Sequence, residues 1–272
     1  MGKSGKRLDS KSNIGETVPV HAEERRQLIV EETRRRGRVS VSRLAAQYDV
    51  TPETVRRDLV ELDARGAIRR MHGGALSIER LQVEPAVAER TSRLTAQKQR
   101  IARLAVEYLP DDDGTVIVDA GTTTGALADP FPAGRRLTVV TDDLPLAMRL
   151  APLPATTVIV VGGRVRARTL ATVGDFAVSM VNELRADVAF IATNGLTERG
   201  CSTPDPAEAA VKRAMVRAAD RVVLLADHSK FGHEHFVRFA ELDDLDVVVT
   251  DTGADHTDLL MLEAAGLEVR VA

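Results

Sequence analysis

Apolar positions along the chain change their spacing near residue 80, and the two regimes predict different architectures. Over Ala22 to Arg36, Leu28 and Ile29 stand in a dense field of Glu and Arg, which predicts one charged amphipathic helix stopped by Gly37. Val39-Ser40-Val41 is short and β-branched, and Leu44, Ala45 and Tyr48 fall at helical spacing within a second short helix over residues 42–48. Thr51 is placed to cap a third helix and Pro52 to take its first position. That helix puts Val55, Leu59 and Leu62 on one face and leaves Arg56 and Arg57 pointing elsewhere. Gly66 supplies a left-handed residue to end it, and Ile68 to Ala75 reads as a basic strand running into a glycine turn. Two short helices joined by a tight turn and followed by a basic hairpin predict a winged helix-turn-helix.

Beyond residue 80 a connector leads to a helix carrying Ile101, Leu104, Ala105 and Tyr108, which ends at Pro110 and the acidic turn Asp111 to Gly114. Apolar β-branched runs follow at 115–118, 137–141, 157–161, 188–192, 222–226 and 247–250. Helical patterns over 144–150, 176–184 and 207–219 separate several of them. Near-continuous apolar strands alternating with helices predict a mostly parallel sheet covered on both faces, with ligands at the carboxyl ends of its strands. The expected organisation is a disordered tail over residues 1–20, a winged helix-turn-helix over 21–77, a linker over 78–96 and an α/β effector-sensor domain over 97–272.

Composition supports a globular chain: 44% of the 272 residues are hydrophobic and 28% charged. No run approaches the roughly 18 apolar residues of a membrane span, and residues 1–20 are polar with no secretory apolar core, so a cytoplasmic protein without a membrane partner is expected. The single cysteine, Cys201, makes no internal disulfide and no thiolate zinc site by itself. His228, His233 and His235 share a loop without a cysteine or a His-x3-His on one helical face, so neither a metal nor another cofactor is expected. The charge is uneven: residues 1–80 carry 17 Lys+Arg against 12 Asp+Glu, whereas the remainder carries 20 against 28. A basic module for a polyanion beside a second module with another task fits that split.

In a helix-turn-helix the start of the second helix enters the major groove, which makes Thr51, Pro52, Glu53, Thr54, Arg56 and Arg57 the candidates for contact with double-stranded DNA. Arg69, Arg70 and His72 on the wing are placed to neutralise phosphates. In the second module, Asp119 to Gly125 follows a strand and opens a helix predicted over 126–129. Its glycines, hydroxyls and backbone N–H groups suit an anion, phosphate above all. Gly162-Gly163-Arg164 and Lys230 follow other strands and converge on the same crevice.

The run Val39 to Ala75 (VSVSRLAAQYDVTPETVRRDLVELDARGAIRRMHGGA) closely resembles the N-terminal signature of DeoR-family bacterial transcriptional regulators. DAGTTT (119–124), TVVTDDL (138–144), VGG (161–163), VGD (173–175) and LADHSKFG (225–232) follow in that family's order. The resemblance implies a sensor domain similar to ribose-5-phosphate isomerase that binds phosphorylated sugars, with phosphate at Gly121, Thr122, Thr123 and Thr124. It also implies polyol contacts from Asp119, Asp142, Asn194, Glu208, Lys212 and Lys230, while Gly163 and Arg164 join the effector-binding candidates by the convergence of strand-end loops. Thr-Asp-Asp at 141–143 departs from the Thr-Asn-Ser more usual in the family. Glu208 and Lys212 stand four apart and fit a helical surface ion pair equally well. The expected protein is a repressor of a carbohydrate-metabolism operon, a homo-oligomer (dimer or tetramer) and not an enzyme. The alternative is a sugar-phosphate isomerase with an appended DNA-binding domain. Asn194 speaks against it, because an amide binds a hydroxyl but cannot take its proton.

Overall fold

A computed structural model describes residues 22–36, 38–71, 73–77 and 87–272, and the chain divides into two compact units, residues 1–79 and 80–272. The tail expected over residues 1–20 and the wing residue His72 lie outside the described residues.

The first unit consists of α1 (Ala22–Arg36), β1 (Arg38–Ser40), α2 (Val41–Gln47), α3 (Pro52–Ala64), β2 (Ile68–Met71) and β3 (Gly74–Ser77). The strands form an antiparallel sheet in the order β1-β3-β2, so the expected wing is present and gains a third strand. Ser40 decides where β1 stops: its Oγ accepts a hydrogen bond from Arg43 N at 3.3 Å, which caps α2 just ahead of the position that the apolar spacing suggests. Glycine is required at position 74, where a Cβ would stand 2.0 Å from the Val39 carbonyl oxygen. Ile29, Leu44, Val55, Leu59, Leu62, Ile68 and Ala75 fill the core. Asp58, 2% exposed, anchors α3 to α1, accepting from Arg25 Nε at 2.7 Å and Arg26 Nε at 3.0 Å.

The second unit is built on a seven-stranded sheet in the order β15-β14-β12-β9-β4-β5-β6, every pair parallel. These strands are β4 (Gly114–Val118), β5 (Leu137–Thr141), β6 (Thr156–Val160), β9 (Ala186–Ala192), β12 (Ala219–Leu225), β14 (Val247–Thr250) and β15 (Glu268–Val271). The helices are α4 (Val87–Ser92), α5 (Thr95–Ala105), α6 (Leu144–Leu150), α7 (Asp175–Asn182), α8 (Pro206–Ala218) and α9 (His256–Ala264). Alternate strand residues enter two separate cores. Ile117, Val140, Ile191, Leu224 and Val248 pack in one core with Ala177 and Val181 of α7 and Val211 and Met215 of α8. Val116, Val139, Phe190, Val223 and Val249 pack in the other with Ile101 and Ala105 of α5 and Leu146 and Leu150 of α6. Burial on both faces is why these strands read as unbroken apolar runs.

Two small antiparallel additions carry no comparable signal. One is the hairpin of β7 (Arg164–Arg166) and β8 (Ala171–Val173), and the other is the sheet of β10 (Gly195–Thr197), β11 (Gly200–Thr203) and β13 (Val237–Ala240). The helix expected over 126–129 is instead a 3-10 turn, Thr124–Ala128. Pro130 and Pro132 stand directly behind it and offer no N–H to continue a helical ladder. No described helix is long and apolar enough to cross a membrane.

Removing the Asp58 carboxylate takes a 2.7 Å partner from the buried Arg25, while Arg26 keeps Glu23 and Glu61, and loss of one member of a buried ion pair costs about 3–5 kcal/mol. Asp58→Ala is therefore expected to lower the unfolding free energy of the first unit by about 3 kcal/mol. Urea denaturation followed by circular dichroism measures it, and a loss under about 1 kcal/mol contradicts the anchoring role.

Candidate functional site

The first unit presents α3 and the wing. Thr51 Oγ accepts from Thr54 N at 3.2 Å and lies 2.9 Å from the Thr54 hydroxyl, with Pro52 opening the helix behind that cap. Burial of Val55, Asp58, Leu59 and Leu62 turns Glu53, Arg56 and Arg57 to the exposed face. Arg56 is not idle there: its Nη1 lies 3.0 Å from Glu53 Oε2 in a solvent-exposed pair, so reaching a base means exchanging that partner. Arg70 is exposed on β2, and its backbone N–H donates to Asp63 Oδ1 at 3.1 Å, tying the wing to α3. Arg69 follows Ile68 on the same strand.

In the second unit, β9, β4 and β5 lie side by side, so the loops leaving their carboxyl ends meet. The residues brought together are Asp119 after β4, Asp142 and Asp143 after β5, and Thr193 and Asn194 after β9. Asp119 Oδ2 accepts from Ala192 N at 2.9 Å and from Lys212 Nζ, and the same ammonium donates to the Ala192 carbonyl at 3.1 Å. Both side chains are sealed from solvent, Asp119 1% and Lys212 4% exposed, and Asp119 Oδ1 has no hydrogen-bond partner among the described residues.

The Gly121 turn packs tightly against this pair. A Cβ at position 121 would lie 2.8 Å from both Ala192 Cβ and Thr124 Oγ1. Part of the expected phosphate cradle is already in use: Ala120 N donates to Asp142 Oδ1 at 2.7 Å, Gly121 N to Asp143 Oδ2 at 3.4 Å, and Gly125 N to Gly121 O at 2.7 Å. The Thr122 and Thr123 amides remain without an internal acceptor among the described residues.

Charge is distributed unequally over this crevice. Burial works against the Lys212 ammonium, but the charges of Asp119, Glu208 and Asp142 more than offset it and hold it above the ordinary lysine value. Burial, then the neighbouring Asp119 charge, pushes the Asp142 carboxyl well above the ordinary carboxylate range. Burial also raises Asp143, against the hydrogen bonds from Leu146 N and Gly121 N.

Glu208 and Lys212 are buried and face different partners rather than forming a surface pair. Glu208 accepts from Thr169 Oγ1 at 2.5 Å and from Arg166 Nη1 at 3.2 Å, while Lys212 holds Asp119. Asn194 Oδ1 accepts from Thr203 Oγ1 at 3.0 Å. Gly163, at φ +144°, has no room for a side chain beside Val173 O, and Arg164 is exposed at the start of β7. Lys230 sits in the 3-10 turn His228–Lys230 after β12, and its charge and that of Asp227 act on Lys98.

Lys98 is a residue the sequence pattern did not single out. It is 5% exposed on α5, donates to Arg90 O at 2.5 Å and Arg93 O at 2.8 Å, and burial drops its pKa to about 8. Its only sequence signal is a lysine at a position where α5 turns inward. His228 Nδ1 lies 2.8 Å from Asp251 Oδ1, and no group of three or more metal-ligating side chains occurs among the described residues. The buried Cys201 thiol is pushed up to about 12 by burial and offers no nucleophile at neutral pH.

A carboxyl raised in the folded state keeps its proton where the unfolded chain has lost it, so its contribution to stability falls as pH rises above the ordinary value of 3.8. Asp142→Asn keeps the acceptor for Ala120 N and removes that titration. Thermal unfolding at pH 5 and pH 8 is expected to show a smaller drop in Tm for the variant than for the wild type. An equal drop overturns the assignment.

The chain was compared with known families. Residues 25–81 match the DeoR-like helix-turn-helix domain and residues 93–252 the DeoR C terminal sensor domain. A relative named the HTH-type transcriptional regulator GlpR, from Haloferax volcanii, is 37% identical over 247 residues, covering 90% of this chain and 96% of the relative. The glycerol-3-phosphate regulon repressor of Escherichia coli is 32% identical, covering 82% and 88%. The HTH-type transcriptional repressor GlcR of Bacillus subtilis is 30% identical, covering 93% and 97%. Among solved structures, ribose 5 phosphate isomerase A from Neisseria gonorrhoeae aligns with a TM-score of 0.37 at 16% identity, over 49% of this chain and 52% of that one. With a winged helix-turn-helix in its first unit and a parallel α/β sheet in its second, the chain belongs to the DeoR family of DNA-binding transcriptional regulators.

Proposed function

We propose that this regulator binds operator DNA through Thr51, Pro52, Glu53, Thr54, Arg56 and Arg57 of α3 and its cap, and through the wing residues Arg69, Arg70 and His72. We propose further that it represses a carbohydrate-metabolism operon and releases it when a phosphorylated sugar enters the crevice at the carboxyl ends of β4, β5 and β9. Related regulators carry names that refer to glycerol-3-phosphate and to the aga operon, which supports this ligand class.

The observation that carries the effector reading is Asp119 Oδ1. An acceptor buried without a partner costs about 1–3 kcal/mol, and a ligand hydroxyl removes that cost by donating to it. The Thr122 and Thr123 amides, three and four residues further along the same loop and without an acceptor among the described residues, are available for the phosphate. Lys212 and Lys230 supply positive charge, Asp142, Asn194 and Glu208 polar contacts, and Gly163 and Arg164 the rim. The site binds without turnover: Asn194 offers an amide where proton abstraction needs a base, and Asp119 is held in its ion pair. An operator of two half-sites calls for a homo-oligomer, in the cytoplasm with the DNA.

Fluorescence anisotropy at fixed salt, on DNA upstream of the regulator's own gene, tests both halves. One of glycerol-3-phosphate, glucose-6-phosphate, fructose-1-phosphate or ribose-5-phosphate is expected to weaken specific binding at least tenfold. Specific binding that none of them shifts counts against the effector class, and turnover of any one without DNA binding establishes the enzyme reading. Arg56→Ala is expected to lose about 1–3 kcal/mol on the operator and little on random DNA. Arg70→Ala should weaken both and lower the salt slope by about 1. Equal losses for both variants on both DNAs would remove the division of roles.

A further inference from the structure

The carboxyl half of α8 carries a second concentration of charge, apart from the crevice. Arg213, Val216 and Arg217 stand at i, i+3 and i+4 and share one stripe of the helix. Arg238 and Phe239 of β13, with Glu241 and Asp244 in and beside the 3-10 turn Leu242–Asp244, complete the walls of a cleft of about 250 Å³. None of these residues is among those gathered at the ends of β4, β5 and β9.

Three arginines line this one small cleft, and their bonds leave them largely unneutralised. Arg213 reaches from α8 to β13, where its Nη2 donates to the Arg238 carbonyl at 2.8 Å, and it has no carboxylate partner among the described residues. Arg238 Nη1 donates to the Arg199 carbonyl at 3.2 Å, and its Nη2 lies 3.2 Å from Glu241 Oε1. Arg217, exposed in the last turn of α8, has neither a hydrogen bond nor an ion pair among the described residues. Asp244 Oδ2 accepts from Glu241 N at 2.8 Å and so holds the turn. Like charges gathered on a concave surface repel one another and focus a positive field, which an entering anion relieves.

The lining also selects the rest of the ligand. A guanidinium fork presents paired N–H donors that match phosphate oxygens two at a time, and Arg213 and Arg217 both hold donors without an acceptor among the described residues. The carboxylates of Glu241 and Asp244 accept hydroxyls but repel a bare anion, so a ligand would turn its phosphate toward α8 and its hydroxyls toward the 241–244 turn. The cleft is smaller than the roughly 300–1,000 Å³ of sites for drug-sized molecules, which restricts it to a compact ligand.

We propose that this cleft is a second ligand site of the regulator, binding a small hydroxylated phosphate monoester through Arg213, Arg217 and Arg238. It shares no residue with the effector crevice and does not rest on the effector reading. The two sites are neighbours across Phe239, which lines the cleft and whose ring centre lies 5.5 Å from the Lys212 ammonium that holds Asp119.

The test uses the full chain, with inorganic phosphate and glycerol-3-phosphate as probes and amide hydrogen exchange as the local readout. At matched ionic strength, phosphate and not chloride is expected to slow exchange over residues 238–244, and glycerol-3-phosphate should do so at lower concentration. Arg217→Gln should raise the half-maximal concentration of both probes at least tenfold, Arg217→Lys less, with any protection of residues 119–124 unchanged in both variants. Glu241→Gln releases the Arg238 fork and removes a hydroxyl acceptor. It should therefore tighten inorganic phosphate and abolish the advantage of glycerol-3-phosphate, a gain that a purely structural role for Glu241 does not produce. Absence of phosphate-specific protection at 238–244, or protection that survives Arg217→Gln, overturns the inference. Equal half-maximal concentrations of the two probes in the wild type overturn the hydroxyl contacts. The effector reading is decided separately, at residues 119–124.

Discussion

The second unit depends on one buried ion pair. Lys212 reaches from α8 to Asp119 at the end of β4, and both grip the Ala192 peptide at the end of β9, Lys212 by its carbonyl and Asp119 by its N–H. Two strands and a helix are thereby fixed at the carboxyl edge of the sheet. Such a pair is a poor source of stability, because burying each ion costs several kcal/mol that the attraction only roughly offsets. Its value lies in geometry. One Asp119 oxygen is occupied twice while the other, equally buried, has no partner among the described residues, a state that folding alone would not favour.

The neighbouring carboxyls follow from the same constraint. Burial first, and then the Asp119 charge beside it, makes a second full charge at Asp142 unfavourable and pushes its carboxyl upward. Asp142 and Asp143 then serve as backbone acceptors that shape the Gly121 turn, using two amides that a simple phosphate cradle would keep. Thr124–Ala128 is a short 3-10 turn with little dipole, so the proposed phosphate site would rest on the Thr122 and Thr123 amides and on side-chain cations rather than on a helix end.

Much of this was legible in the chain, for physical reasons that differ by element. The parallel strands announce themselves because both faces are buried, as Ile117 and Val116 show by entering opposite cores. Thr51-Pro52 marks the start of α3 because a cap and a first-turn proline each satisfy a local requirement. Strands of three or four residues such as β7 and β10 are too short to show a period. Gly195 betrays the small sheet only in three dimensions, where a Cβ would meet the His233 carbonyl oxygen at 2.3 Å. The spacing of Glu208 and Lys212 is the same for a surface pair and for two buried residues serving different partners, so only packing separates them.

Least legible of all was the bend between α4 and α5. Residues 78–96 show no clear helical or strand period and read as a linker, and nothing in their order shows that the Lys98 ammonium, from α5, bonds the Arg90 and Arg93 carbonyls at the bend. Those bonds are local but go to backbone carbonyls, and the one from Val87 N to Arg168 O joins distant parts of the chain, so neither leaves a period in the sequence.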